Sequence, residues 1–521
     1  MKVIRSPPLN VHPADETANG SNYFLSNLDR FMPFTGKILQ CYASTDRRST
    51  EDVAHVLRAS LKKFVRSQTN IEGILRELVD DTKLQWKQCP LPKTFPSMKI
   101  IQSPPLNVHP AEETAKGSNY FLSNLDHFTP CTIKILQCYA STDRRSTEDV
   151  AHVLRASLKK VLADYSPWTG RLADGGDGTL FILMDGSGVP FVEAVADVEL
   201  EQLGVNSILH GEMARDFVYC PPARSALEVP LLSVQITKMK CGGFVLGLAL
   251  SHFIADGMSM ALFLHAWAEA TRGLPLSVNP FLDRTLLLAR CPPLVEYPHR
   301  EFIDLAVRAS AQGALNSSEP FLQRYFAFDA SKLARLKRLA YDGDGPPPST
   351  FSALAGLVWR SWTKALNKPW TDQVMLLFAV NVRNRLKPPL PVGFFGNAVV
   401  PGCSIAMAGE LINRPLSYAV EMVQHAARLV TDEFIRSVID DYELTRSRLS
   451  LAGTLLITDW THLGFGDTDF GWGCPKMGTP AELFNGDMAL FSSTSKNNKD
   501  IFVIVALPES AMSSFMEIME F

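Results

Sequence analysis

The chain has 521 residues, 46% of them hydrophobic and 20% charged, with a formal net charge of -3. That length exceeds what one hydrophobic core usually serves and predicts two domains of ordinary globular composition. The charge balance offers no basic field for nucleic acid. The nine cysteines contain no C-x-x-C pair, which excludes a zinc ribbon and a small disulfide scaffold and suits a reducing compartment. No metal-binding constellation is visible.

The opening MKVIRSPPLN lacks the apolar centre of a signal peptide. The most apolar run, Phe244 to Phe253, is far too short to span a bilayer. These features predict a soluble, cytoplasmic protein without a membrane span.

The chain repeats itself near its start. The segment beginning at Met1 reappears at Met98, and the match runs to Lys63 and Lys160 with only eight differences. Each copy carries a strand signal, KILQCYAS, and a helix signal, STEDVAHVLRASLKK. In the second copy the helix is expected to start at Ser146 as N-cap, with Asp149 three residues on. Its apolar stripe is Val150, Val153, Leu154, Leu158, Val161 and Leu162. One strand and one helix cannot bury their own apolar faces, and two copies are too few for a solenoid. Only the second copy leads into further strand signals; the first runs into a proline-punctuated linker. Residues 1–97 are therefore read as a partial duplication surplus to the fold, with a regulatory or strand-swapping segment as the alternative.

From Met98 onward strand and helix signals alternate. LFILMDG and PFVEAVAD read as strands, and KCGGFVLGLALSHF as a buried strand by its continuous apolar run. MSMALFLHAWAEATRG is a helix ending at Gly273. A proline-rich stretch without periodicity follows and reads as a crossover. Beyond it come helices at DASKLARLKRLAYD and STFSALAGLVWRSWTKAL, the latter capped by Ser349 or Thr350, and one long helix at SYAVEMVQHAARLVTDEFIRSVIDDY. Strands are expected at VMLLFAVNV, TLLITDW, MALFSST and IFVIVALP. The sum is an α/β protein in two halves.

The stretch Ser251-His252-Phe-Ile-Ala-Asp256-Gly257 falls where the buried strand gives way to a helix. An alcohol or amine attacking a thioester must lose a proton, and a neutral imidazole can take it near neutral pH. Asp256 lies four residues on and could orient the ring or turn away and hold the loop. A lone H-x-x-x-D is weak evidence: with 11 histidines and aspartate at ~5% of residues, about half a match arises by chance. On the local sequence alone a second reading stands, in which Asp256 caps the following helix and His252 is a satisfied core histidine. Gly257-Met-Ser259-Met-Ala261 also resembles part of a nucleophile elbow with Ser259, but the second glycine is missing.

More than 200 residues downstream stands Asp469-Phe470-Gly471-Trp472-Gly473. With SHFIADG before it, the chain resembles the BAHD acyltransferases, whose two signatures are HxxxD and DFGWG in this order. YFLSNLD at 120–126, YSPWTGRL at 165–172 and NVRNRLKPPLPVGFFGN at 381–397 match further family blocks. The resemblance covers Met98 to the C-terminus. A kinase reading of the DFG tripeptide fails for want of a glycine-rich loop, a V-A-I-K lysine and an H-R-D loop.

The resemblance implies two chloramphenicol-acetyltransferase-like domains with a channel at their interface. The first spans 98–275 and carries HxxxD, a crossover spans 276–305, and the second spans 306–521 and carries DFGWG. It implies an acyl-CoA cosubstrate with no permanently bound cofactor, a small-molecule alcohol acceptor, a monomer, and His252 as base. Asp256 would pair with Arg383, or alternatively Arg385. Asp469, Phe470, Gly471, Trp472 and Gly473 would shape the channel on its CoA side.

Blocks such as KCGGFVLGL and FIRSVIDDYELTRSRLSLAGTLLITDW are most similar to those of feruloyl-CoA:ω-hydroxy fatty acid transferases. Trp460-Thr-His462-Leu-Gly stands where shikimate-using relatives carry a carboxylate-gripping arginine, and a neutral histidine is a poor substitute for a bidentate clamp. Thr458, Trp460 and His462 are the expected acceptor-pocket residues. The expected reaction is hydroxycinnamoyl transfer to an ω-hydroxy fatty acid or fatty alcohol. Shikimate/quinate-type or amine acylation is the alternative; a non-catalytic binding protein and a serine hydrolase are the rivals.

Overall fold

The computed structural model describes residues 98–112, 117–141, 146–176, 179–202, 214–302, 321–343, 346–447, 449, 453–483, 487–493 and 500–519. All fall within one compact unit, Phe95–Phe521. The first copy of the repeat and its linker lie outside the described residues.

In chain order the first half contains β1 (Ile100–Gln102), β2 (Leu106–Val108), β3 (Asn119–Tyr120), β4 (Thr132–Tyr139), α1 (Val150–Asp164), β5 (Arg171–Asp174) and β6 (Leu180–Leu183). β7 (Val189–Ala196), β8 (Leu232–Lys238), β9 (Phe244–Ser251) and α2 (Gly257–Thr271) complete it. The second half holds β10 (Phe321–Phe328), α3 (Ala330–Leu339), α4 (Thr350–Ala365), β11 (Gln373–Asn381), β12 (Val399–Met407), α5 (Ala408–Asn413), α6 (Leu416–Leu429) and α7 (Asp432–Thr445). Then come β13 (Thr454–Asp459), β14 (Met477–Pro480), β15 (Met488–Ser492), β16 (Ile501–Pro508) and α8 (Glu509–Met519).

Among the described residues these strands form two large mixed sheets. The first runs β1-β7-β8-β9-β4-β14, with β2 also on β7; the second runs β10-β16-β15-β13-β11-β12. The α/β architecture in two halves is the one expected. β9 is buried as expected, yet it pairs antiparallel with both β4 and β8. Its apolar run is continuous because both faces of this sheet are covered. Phe244, Leu246, Leu248 and Leu250 enter the main core of the first half, while Val245 and Ala249 enter a second cluster on the other face.

Several boundaries differ from the sequence reading. α1 starts at Val150 with Asp149 at the N-cap, because Ser146 Oγ instead accepts the nearby Glu148 N–H in a preceding turn. The single long helix expected near 417–442 is two helices, α6 and α7. Thr431 accepts from the Phe434 N–H and begins a new helix with Asp432 and Glu433 in its first turn, which is an N-terminus signal inside the apolar periodicity. β1, β2, β3, β5, β8, β10, β12, β14, α5 and α8 were not read from the sequence. α4 is capped by Ser349, whose side chain accepts from the Ser352 N–H.

The two halves exchange parts. β14 leaves the second half and pairs antiparallel with β4 in the first sheet, Met477 opposite Cys138 and Pro480 opposite Ile135. Phe395, Phe465, Phe470 and Trp472 pack into the first core, while Leu125 and Phe128 pack into the second. The crossover is pinned to α7: Asp440 takes the Arg290 and Leu294 N–H groups, and Ser437 takes that of Glu296.

Candidate active site

His252 is the first residue beyond β9, at the point where the rigid central strand ends. Its backbone N–H donates to the Cys131 carbonyl at 2.8 Å, and its carbonyl accepts from Asn397 Nδ2 at 2.7 Å. The residue is half-buried, and Nδ1 is closed off from solvent with no hydrogen-bond partner. Burial pushes its pKa below the ordinary 6.5, opposed in part by the Asp256 charge and the Asn397 side chain. At neutral pH the ring is therefore predominantly the uncharged base.

Asp256 points away from this ring into a complete set of donors. Arg383 Nη1 lies 2.8 Å from Oδ2 and Nη2 lies 2.9 Å from Oδ1, a two-pronged contact. The Ser259 and Ala398 N–H groups donate to the same carboxylate at 2.9 Å each. Burial alone would raise the Asp256 pKa, but Arg383 and these hydrogen bonds hold it below the ordinary 3.8. Asp256 thus caps α2 and anchors the loop to the second half at once. Arg385, the alternative partner, instead donates to the Ala427 and Val430 carbonyls at the end of α6.

Ser259 is fully buried, and its hydroxyl is engaged by Arg383 Nη2 at 2.9 Å, the Gly396 N–H at 3.0 Å and the Gly396 carbonyl at 2.8 Å. A hydroxyl saturated in this way, with no histidine among those contacts, is not a hydrolase nucleophile. At Gly257 an added Cβ would come within 2.6 Å of Leu463 Cδ1, so the end of that leucine side chain would have to shift. The loop after β13 therefore seats directly on the start of α2.

DFGWG follows that loop. Gly471 and Gly473 adopt φ of 102° and 90°, which favour glycine, and Asp469 Oδ1 accepts both their N–H groups at 2.7 and 2.8 Å. This turn drives Phe470 and Trp472 into the first core. Phe470 meets Trp267 edge-on at 5.2 Å, Trp472 meets Phe244 at 5.4 Å, and Trp472 Nε1 donates to the Ser146 carbonyl. We expect Trp472→Ala to cost about 3–5 kcal/mol in chemical denaturation; a loss under 1 kcal/mol would mean the ring is not an anchor.

Of the expected acceptor residues, Thr458 and Trp460 are half-buried and His462 is exposed. Trp460 packs on Phe465 at 5.1 Å and touches apolar clusters of both halves.

Three residues with no individual role in the sequence reading bear on the same loop. Asp126, Arg284 and Asn397 are almost wholly buried. Each is a charged or amide residue in a stretch of mixed polarity, which is informative only once burial is known.

The Transferase family pattern matches residues 101–521. The chain is 41% identical to the omega-hydroxypalmitate O-feruloyl transferase of Arabidopsis thaliana, over 81% of this chain and 92% of that one. It is 42% identical to the fatty alcohol:caffeoyl-CoA acyltransferase of Arabidopsis thaliana, over 81% and 98% respectively. The chain belongs to the BAHD acyltransferase family. In fold this BAHD enzyme is similar to vinorine synthase, with a TM-score of 0.64 and 24% identity over 80% of this chain and 96% of that one. It is likewise similar to F. graminearum TRI101 complexed with coenzyme A and deoxynivalenol, with a TM-score of 0.63 and 16% identity over 76% and 96%. As a BAHD protein it is an acyl-CoA-dependent acyltransferase, with acyl-CoA as cosubstrate. No described helix of this BAHD enzyme is long and apolar enough to cross a membrane.

Proposed function

We propose that the protein moves a hydroxycinnamoyl group, feruloyl first among them, from coenzyme A to the hydroxyl of an ω-hydroxy fatty acid or a fatty alcohol. The observation that carries the chemistry is the uncharged, half-buried imidazole of His252, closed at Nδ1 and so left to meet substrate at its Nε2 edge. In this reading Nε2 takes the proton of the acceptor hydroxyl as its oxygen attacks the thioester carbonyl. The tetrahedral adduct collapses, the C–S bond breaks, and the imidazolium returns the proton to the departing thiolate. Asp256 and Arg383 hold the loop and touch no reacting atom.

The acceptor class rests on the two Arabidopsis relatives named above and on Trp460-Thr-His462, which supplies no cationic clamp for a carboxylated cyclic alcohol. Thr458 and Trp460 are the residues we assign to the acceptor side. DFGWG contributes to the CoA side through its backbone course, since its aromatic rings are spent on the first core.

The working enzyme in this reading is a cytoplasmic monomer whose fold begins at Met98. β4 is already paired on both edges, by β9 and β14, so a second KILQCYAS strand has no free position there. A matrix of feruloyl-, caffeoyl- and acetyl-CoA against 16-hydroxypalmitate, long-chain alcohols, shikimate and tyramine tests the proposal, run on the full chain and on residues 98–521. The expected result is the highest kcat/KM for a hydroxycinnamoyl donor with a long-chain alcohol, equal in both chains. Preference for shikimate or the amine would overturn the acceptor assignment, and an inactive 98–521 chain would overturn the start site.

A further inference from the structure

Behind His252 lies a second buried charge pair that the mechanism above does not use. Asp126 and Arg284 have side chains 0% and 1% exposed, with Arg284 Nη1 2.9 Å from Asp126 Oδ2. The contact is an ion pair rather than an aligned hydrogen bond, since Nη1 counts no hydrogen-bond partner. Arg284 Nη2 donates to the carbonyl of Ile254, in the middle of the HxxxD loop. Asp126 Oδ2 also accepts from Ser123 N–H at 2.7 Å and Ser123 Oγ at 2.8 Å. Its other oxygen accepts twice from Asn397, from the backbone N–H at 3.1 Å and from Nδ2 at 2.8 Å.

We propose that Asp126, held by Arg284, is a positioning residue for acyl transfer: it fixes the amide of Asn397 so that the amide oxygen is left for His252 Nδ1, selecting the tautomer whose Nε2 is free. The inference rests on the reading of His252 as the base. An ionised carboxylate only accepts, so Asn397 must offer it the NH2 group. The second amide hydrogen goes to the His252 carbonyl at 2.7 Å. Both amide hydrogens are then spent, and Asn397 Oδ1 is buried without a partner, as is His252 Nδ1. A proton on Nδ1 turned toward Oδ1 would satisfy both atoms. A proton on Nε2 leaves two buried acceptors unsatisfied, which is costly. The Asn397 side chain acts on the proton affinity of His252 in the raising direction, against the larger effect of burial.

Asp126→Asn removes the constraint, because an amide at 126 can itself donate and lets Asn397 turn over. The expected result is a fall in kcat of about 10²-fold with the KM for acyl-CoA nearly unchanged. In 15N spectra, with the His252 signal assigned by its loss in His252→Ala, the wild type should show an unprotonated Nε2 and the variant a shift toward the other tautomer. Should the single variant fail to fold, Asp126→Asn/Arg284→Gln removes both charges and leaves no buried guanidinium unpaired; the same two readouts are expected. A folded variant that keeps the wild-type tautomer and wild-type kcat overturns the inference. If His252→Ala is inactive while that variant is normal, only this inference falls; an active His252→Ala removes the base reading itself.

Discussion

Replacing His252 with alanine is expected to lower kcat by roughly 10²–10⁴-fold while leaving the unfolding midpoint nearly in place. The side chain holds the structure by little: the residue's two anchoring bonds run through its backbone N–H and carbonyl, which alanine keeps, and what alanine removes is the one Nδ1 proton proposed above for Asn397 Oδ1, about 1 kcal/mol. Wild-type kcat/KM should be flat at neutral pH and fall on the acid side with an apparent pKa below 6.5. The sign follows from burial, which disfavours the charged ring. Protonation removes the base, so activity is lost as pH falls. The same depression makes the unfolded chain take up that proton first. Stability from this group is thus present above pH 6.5 and declines as pH falls through the folded value. A variant with wild-type turnover, or an acid limb centred above 6.5, would remove His252 from the role of base.

Much of this was legible in the chain because it depended on local pattern. The apolar run of β9, the stripe of α1 and the Ser349 cap of α4 each follow from spacing over a dozen residues or fewer. The Asp256 cap was legible for the same reason. Features that depend on contacts across the fold were not. β14 is four residues long, Met-Gly-Thr-Pro, and becomes a strand only because β4 offers an open edge. The break between α6 and α7 was visible in Thr431-Asp432-Glu433, but apolar residues continue through it and hid it.

Phe470 and Trp472 carried a family signature expected to shape the channel on its CoA side; that their rings sit in the first core was not readable from the pentapeptide. Asp126, Asn397 and Arg284 sit at positions 126, 397 and 284, and no periodicity joins residues so far apart in sequence. Their meaning rests on burial and on which atom faces which, neither of which a linear pattern records.

Arg383→Met is expected to destabilise the protein by about 3–5 kcal/mol, because it strands a carboxylate inside the fold. The side chains of Arg383 and Asp256 are only 11% and 2% exposed, so solvent screens the pair weakly. Arg385→Met should cost only about 1–2 kcal/mol, since that guanidinium serves backbone carbonyls at the end of α6 and no buried charge loses its partner. The loop would loosen with the pair, so kcat should fall in Arg383→Met although the arginine touches no reacting atom. Asp256→Asn/Arg383→Met should be less damaging than the sum of its single variants, because the second change removes the charge that the first exposes.

Acid titration separates this pair from a general packing effect. Asp256 is held below 3.8 by Arg383 and its hydrogen bonds against the opposing pull of burial. Its contribution to stability is therefore present above pH 3.8 and lost as pH falls through the folded value. Without Arg383, burial dominates and drives the carboxyl pKa upward, so the variant should be destabilised least at acid pH, where the carboxyl is neutral in both states. A stability gap between wild type and Arg383→Met that stays constant from pH 7 to about pH 3 would show that the arginine acts by packing, and the anchoring role given to Asp256 would go with it.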